Sequence, residues 1–141
     1  MLVRVACAVL FLATGAQLPA HADEPEDVVA GIYAEYPWED LPPGGHGAWY
    51  VDIAVAWGGG DTDAGKAFLV GPAGRFTNVE TEVVASGGYE ARVRTVLSGP
   101  DGAVHRLNFG LIGDDDEDDR WRVIEVFTDD GKYLSEVLAR Q

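Results

Sequence analysis

The chain is poor in the residues that carry most redox, metal and nucleic-acid chemistry. It has one cysteine, Cys7, and three histidines in 141 residues. Cys7 lies in an amino-terminal stretch that reads as an export signal, so the folded part is expected to hold no thiol. That excludes disulfides, cysteine nucleophiles and thiolate metal sites together. Bases are scarce as well: 10 Lys plus Arg stand against 24 Asp plus Glu, a formal net charge of −14. Phosphate binding draws on clustered Lys and Arg, and wherever charges run together here the acids dominate. A nucleic-acid or anionic-membrane partner is therefore not expected. Beyond the amino-terminal stretch no apolar run is long enough to span a bilayer. Stability has to come from packing, and a hydrophobic content of 47% supplies the material for one domain.

Met1 to Arg4 form a short basic start, Val5 to Thr14 an apolar run, and Ala20-His21-Ala22 the small-x-small pattern that a signal peptidase accepts. The sequence predicts a signal peptide over residues 1–22, cleavage after Ala22, and a single domain over residues 23–141. The alternative, a membrane anchor, needs about twenty apolar residues, and this run is half that length. A lipoprotein is disfavoured because Arg4 stands where the acylation motif before Cys7 wants an aliphatic residue. Arg4 is the one charged side chain lost with the signal, so the mature chain carries nine bases against 24 acids, a net −15. The expected location is secreted or periplasmic, soluble after cleavage.

Asp23-Glu24-Pro25-Glu26-Asp27 sets capping acids and an early proline ahead of Val28, Val29, Ile32, Tyr33 and Tyr36, the spacing of an amphipathic helix that ends before Pro37. Residues 38–47 read as loop. Trp49, Val51, Ile53, Val55 and Trp57 alternate like a strand, yet Trp49, Ile53 and Trp57 also share helical spacing, so periodicity leaves that segment open. Residues 58–75, with six glycines and a proline, read as irregular connection. Four runs then follow, near 76–85, 89–97, 103–112 and 121–127, parted by turn residues as an antiparallel meander is. Pairing sums of 174 and 200 put Val83, Ala91 and Phe109 on one apolar face and set Glu82 beside Arg92 and Glu80 beside Arg94 on the other. Asp129-Asp130-Gly131 turns the chain into a last helical stripe, Leu134, Val137 and Leu138. The fold class expected is α+β: a curved antiparallel meander sheet with amino-terminal helices packed on one face and a short carboxy-terminal helix.

Residues 25–36 (PEDVVAGIYAEY) and Trp121-Arg122-Val123-Ile124-Glu125-Val126 followed by Leu134-Ser135-Glu136-Val137-Leu138 resemble secreted members of the nuclear-transport-factor-2-like superfamily. That cone-shaped fold is shared with SnoaL-like and ketosteroid-isomerase-like proteins, and the likeness is to a branch of unknown function. The resemblance implies a helix at Trp49 to Trp57 and a ligand space inside the cone. Glu125 departs from the aspartate usual at its position, and the tyrosine and aspartate pair of ketosteroid isomerisation has no counterpart here.

Residues Gly60 to Lys66 match phosphate-loop spacing, but Ala67 replaces the Ser or Thr that holds magnesium, and Asp61 and Asp63 put carboxylates where phosphate oxygens belong. Asp114, Asp116 and Asp118 alternate like calcium ligands without the glycine and late glutamate of that motif, and read as a solvated hairpin tip. No metal and no cofactor is expected. Alternation aims His105 and Glu125 at the interior side, which makes them the candidate acid-base pair. Tyr33, Trp57, Phe109 and Trp121 are the candidate ligand-binding residues, with Trp38 and Trp49 near the mouth of the cone. Two functions follow. The preferred one is an exported non-catalytic module binding a small apolar ligand or a periplasmic protein. The alternative is a cofactor-free SnoaL-like isomerase, cyclase or hydratase using Glu125 and His105; an enclosed pocket on which both converge distinguishes it from the first.

The exported form is expected to begin at Asp23. Intact-mass measurement of secreted material checks this, and a membrane-bound species retaining residues 1–22 would refute it.

Overall fold

The computed structural model describes residues 24–71, 74–113 and 120–140. The signal peptide and cleavage after Ala22 expected from the sequence, and the acidic run Asp114 to Asp119, lie outside the described residues. Four helices and a four-stranded sheet make an α+β domain, with elements in the order α1 (Pro25–Ala34), α2 (Val51–Gly59), α3 (Thr62–Val70), β1 (Asn78–Gly87), β2 (Glu90–Ser98), β3 (Val104–Gly113), β4 (Trp121–Phe127) and α4 (Leu134–Ala139). The strands form an antiparallel meander in sequence order. One face of the sheet, bearing Val93, Leu97, Leu107, Phe109, Leu111, Val123 and Val126, joins Val29, Ile32, Tyr33, Ile53, Trp57, Leu69 and Leu138 of the helices in one core. Among the described residues no helix is long and apolar enough to cross a membrane.

The register differs from expectation by two residues in the second hairpin and over Asn78 to Val83 of the first, and by three beyond a bulge between Val83 and Ala85. Val83 pairs with Val93 rather than Ala91, and Val93 with Phe109. The first hairpin closes at Gly87 and Glu90 over Gly88 and Tyr89, with Gly88 at φ +57°, and the second closes at Ser98 and Val104 over a longer turn. A slip of two keeps side chains on their faces, so the apolar surface up to Val83 is as expected while its charged partners change; past the bulge Ala85 lies opposite Arg92. Glu82 lies opposite Arg94, and Glu80 opposite Val96.

Trp49 to Trp57 divides. Trp49 makes a parallel bridge to Val123, Tyr50 N–H donates to the Val123 carbonyl at 2.8 Å, and the helix starts one residue later. The connection expected over residues 58–75 contains α3, which glycine density concealed. Asp61 caps it by accepting from Ala64 N–H at 3.1 Å, and Gly71 ends it at φ +96°, donating to the Ala67 carbonyl. The phosphate-loop-like spacing is thus the junction of two helices. Gly65 is needed for contact rather than for flexibility: a Cβ there would stand 2.7 Å from Leu138 Cδ2 and 2.8 Å from the Trp57 ring.

Two helical glycines therefore predict opposite outcomes. Gly31 is exposed in α1 with nothing within 4 Å of an added Cβ, so Gly31→Ala is expected to stabilise by about 0.5–1 kcal/mol. Gly65→Ala gains the same backbone term but forces α2, α3 and α4 apart, for a net loss of about 1–2 kcal/mol. Urea midpoints at constant m measure both.

Candidate functional site

His105 and Glu125 do not meet. His105 pairs with Leu97 near the start of β3, and Glu125 pairs with Gly110, five residues further along the same strand. At about 3.4 Å per residue the separation is ~17 Å. A bulge between Gly110 and Leu111 inserts Ile124, so Val123 and Val126 both face the core while Glu125 turns away from the face that alternation assigned to it.

Each group is engaged by the protein. Glu125 Oε1 accepts from Val126 N–H and Ser135 N–H, both at 3.1 Å, and Oε2 accepts from Ser135 Oγ at 2.5 Å. Ser135 lies in the first turn of α4, whose own N-cap, Tyr133, offers no side-chain acceptor. Glu125 thus caps α4 from a neighbouring strand, with negative charge at the helix end that favours it. His105 Nε2 lies 2.8 Å from the Phe68 carbonyl oxygen and packs against the backbone of Gly71. A carbonyl only accepts, so Nε2 carries the hydrogen.

The expected ligand-binding aromatics are mostly core. Tyr33, 5% exposed, donates its hydroxyl to the Leu69 carbonyl at 2.8 Å, and burial pushes its phenol well above the ordinary value. Its ring meets Phe76 and Phe109 edge-on and Trp38 at a tilt, with centroids 5.6, 6.1 and 5.8 Å away. Phe109 and Trp57 are fully buried, and Trp57 packs edge-on against Trp49. Trp38 and Trp49 donate their indole N–H groups to the Ile32 and Pro43 carbonyls. Trp121 is half-buried, packed against the edge of the core and over Gly113 at the end of the sheet.

One place of interest lacked a sequence signal. A recess of about 30 Å³ lies beside His105, with Arg75, Val70, Leu97 and Val104 among its walls. Arg75 comes from the connection before β1 and Val70 from the overlooked α3, so neither adjoins His105 in any local pattern. Among the described residues, no three His, Cys, Asp or Glu side chains gather as a metal site requires. No protein-family model, curated protein or solved structure matches this chain.

Glu125→Ala is expected to cost about 1–2 kcal/mol by uncapping α4, whereas Glu125→Gln, which keeps one acceptor and can pair again with the serine hydroxyl, loses less than half of that. Urea denaturation of both variants beside Ser135→Ala checks the assignment. Equal, negligible losses in all of them would contradict it.

Proposed function

We propose that this chain is an exported, non-catalytic binding module of the nuclear-transport-factor-2-like kind, which takes a partner protein on its outer surface rather than a small apolar ligand in its interior. The observation that carries this reading is the filled core: Tyr33, Trp57 and Phe109 are enclosed, pack on other rings, and leave the sheet's inner face covered by helices. A site for a drug-sized ligand occupies roughly 300–1,000 Å³. The acid-base alternative asks Glu125 and His105 to reach one substrate, and their separation along β3 and their backbone engagements support the binder instead.

The sheet's open face is the surface best suited to a protein. Glu80 and Glu82 on β1 stand beside exposed Arg92 and Arg94 on β2 and Arg106 on β3, in a chain otherwise dominated by acids. Mixed charge of this kind sets register and selects partners more than it adds affinity.

Titration with an apolar fluorescent probe tests the filled interior. The native protein is expected to show no saturable uptake and no quenching of Trp49 and Trp57, and Phe109→Ala to gain both through its cavity. One probe bound per native chain would overturn the reading. On the surface, Arg92→Glu combined with Arg94→Glu is expected to leave the melting temperature nearly unchanged while abolishing binding to any partner captured by the wild type.

A further inference from the structure

We propose that the recess between Arg75 and His105 is a carboxylate-binding subsite. It goes beyond the partner surface above, because His105 aligns with the core-facing residues of β3 and the open face lies on the other side of the sheet. The argument starts from the imidazole. Nε2–H is committed to the Phe68 carbonyl at 2.8 Å, which fixes the tautomer of the neutral ring and leaves Nδ1 as its free lone pair. The backbone of Gly71 presses on the Cγ–Cδ2 edge: a Cβ at Gly71 would stand 2.6 Å from Cγ and 2.9 Å from Cδ2. With Nε2 held by the Phe68 carbonyl and Cγ and Cδ2 lying over Gly71, Nδ1 is the remaining polar atom of the ring, and the missing Cβ of Gly71, at φ +96°, is what lets the ring lie there.

The chemistry of the walls then selects the ligand. Arg75 contributes a permanent cation with a planar array of donors that matches a carboxylate. Nδ1 accepts a hydrogen bond from the acid form of the ligand, and a carboxylate that arrives ionised takes up one proton from solvent on binding, shared between its oxygen and Nδ1. A volume of about 30 Å³ holds roughly two water-sized groups, room for the two oxygens of a carboxylate. Val70, Leu97 and Val104 make the remaining wall apolar, and Val104 is half exposed, so an aliphatic stem can lie on it as it leaves for solvent. Arg75, from the connection before β1, is the charged residue lining the recess, and in the β2–β3 turn beside it the Asp101 carboxylate accepts from Ala103 N–H at 3.3 Å. The helix behind the ring supplies the Phe68 carbonyl and the Val70 side chain.

Imidazole nitrogen and backbone amide NMR of the full domain, titrated with acetate, butyrate and inorganic phosphate at constant ionic strength, tests the subsite. Saturable shifts confined to His105, Arg75 and the neighbouring turn are expected with both carboxylates, at a Kd on the order of 1–10 mM for ligands this small. Butyrate should bind about threefold or more tightly than acetate through its stem. Arg75→Gln, on an exposed side chain, should weaken butyrate about tenfold with the melting temperature kept. Linear, unsaturable shifts would overturn the proposal, as would phosphate acting as strongly as butyrate or an Arg75→Gln variant that binds as the wild type does. None of these outcomes bears on the partner captured by the arginine face, so the two readings fail separately.

Discussion

Tyr33 joins three parts of the fold through a single buried side chain. Its hydroxyl crosses from α1 to the Leu69 carbonyl in α3, while its ring meets Phe76 ahead of β1 and Phe109 on β3. A buried phenol without an acceptor costs about 1–3 kcal/mol, so α1 and α3 must keep their relative placement for Tyr33 to stay inside. Without cysteines in the described residues, such packing is what holds the helical layer to the sheet. The same constraint fills the interior: these rings meet at five to six ångströms, Trp38 and Trp49 donate to backbone carbonyls, and Trp57 is buried with its indole N–H unpartnered.

Polar groups near the far end of the sheet are committed in a similar way. Glu125 spends both oxygens on the start of α4, and buried Asn108 donates to the Asp129 carboxylate at 2.9 Å, tying β3 to the turn that leads into that helix. Leu134, Val137 and Leu138 then seat α4 in the core, and Gly65 lets α3 close against it. A carboxylate bound by two N–H groups and a hydroxyl is well placed to organise a helix and poorly placed to move a proton, since releasing it for chemistry would unmake the cap. His105, by contrast, is engaged through Nε2 by the Phe68 carbonyl and lines a recess.

Much of this architecture was legible from period and punctuation. The strands were visible because apolar positions alternate between turn residues, and the first and last helices because Val29, Ile32 and Tyr33, then Leu134, Val137 and Leu138, repeat at helical spacing. The expectations that changed share a physical cause. A period of two cannot distinguish registers that differ by two, so the face was right and the Glu–Arg partners were not. A bulge carries no compositional mark, and the one at Ile124 reversed the direction of Glu125. Helix α3 was hidden because glycine is penalised in a helix interior, whereas here Gly65 is required by the closeness of Trp57. His105 was read as facing inward from its alignment with Leu107 and Phe109, but its partner, a carbonyl in α3, and the loop arginine that lines the same recess are set by tertiary contact alone.

Charge distribution adds a last constraint on how the protein meets others. With a net −14, approach of another acidic macromolecule is unfavourable from most directions, and the penalty is screened only beyond a Debye length of about 10 Å at 0.1 M salt. The open face of the sheet differs because Arg92, Arg94 and Arg106 offset Glu80 and Glu82 within one surface. Those arginines project from paired strands, so their spacing is fixed by the ladder rather than by a loop. A rigid, charge-balanced face on an otherwise acidic body favours encounters in one orientation, and it does so without any demand on the packed interior behind it.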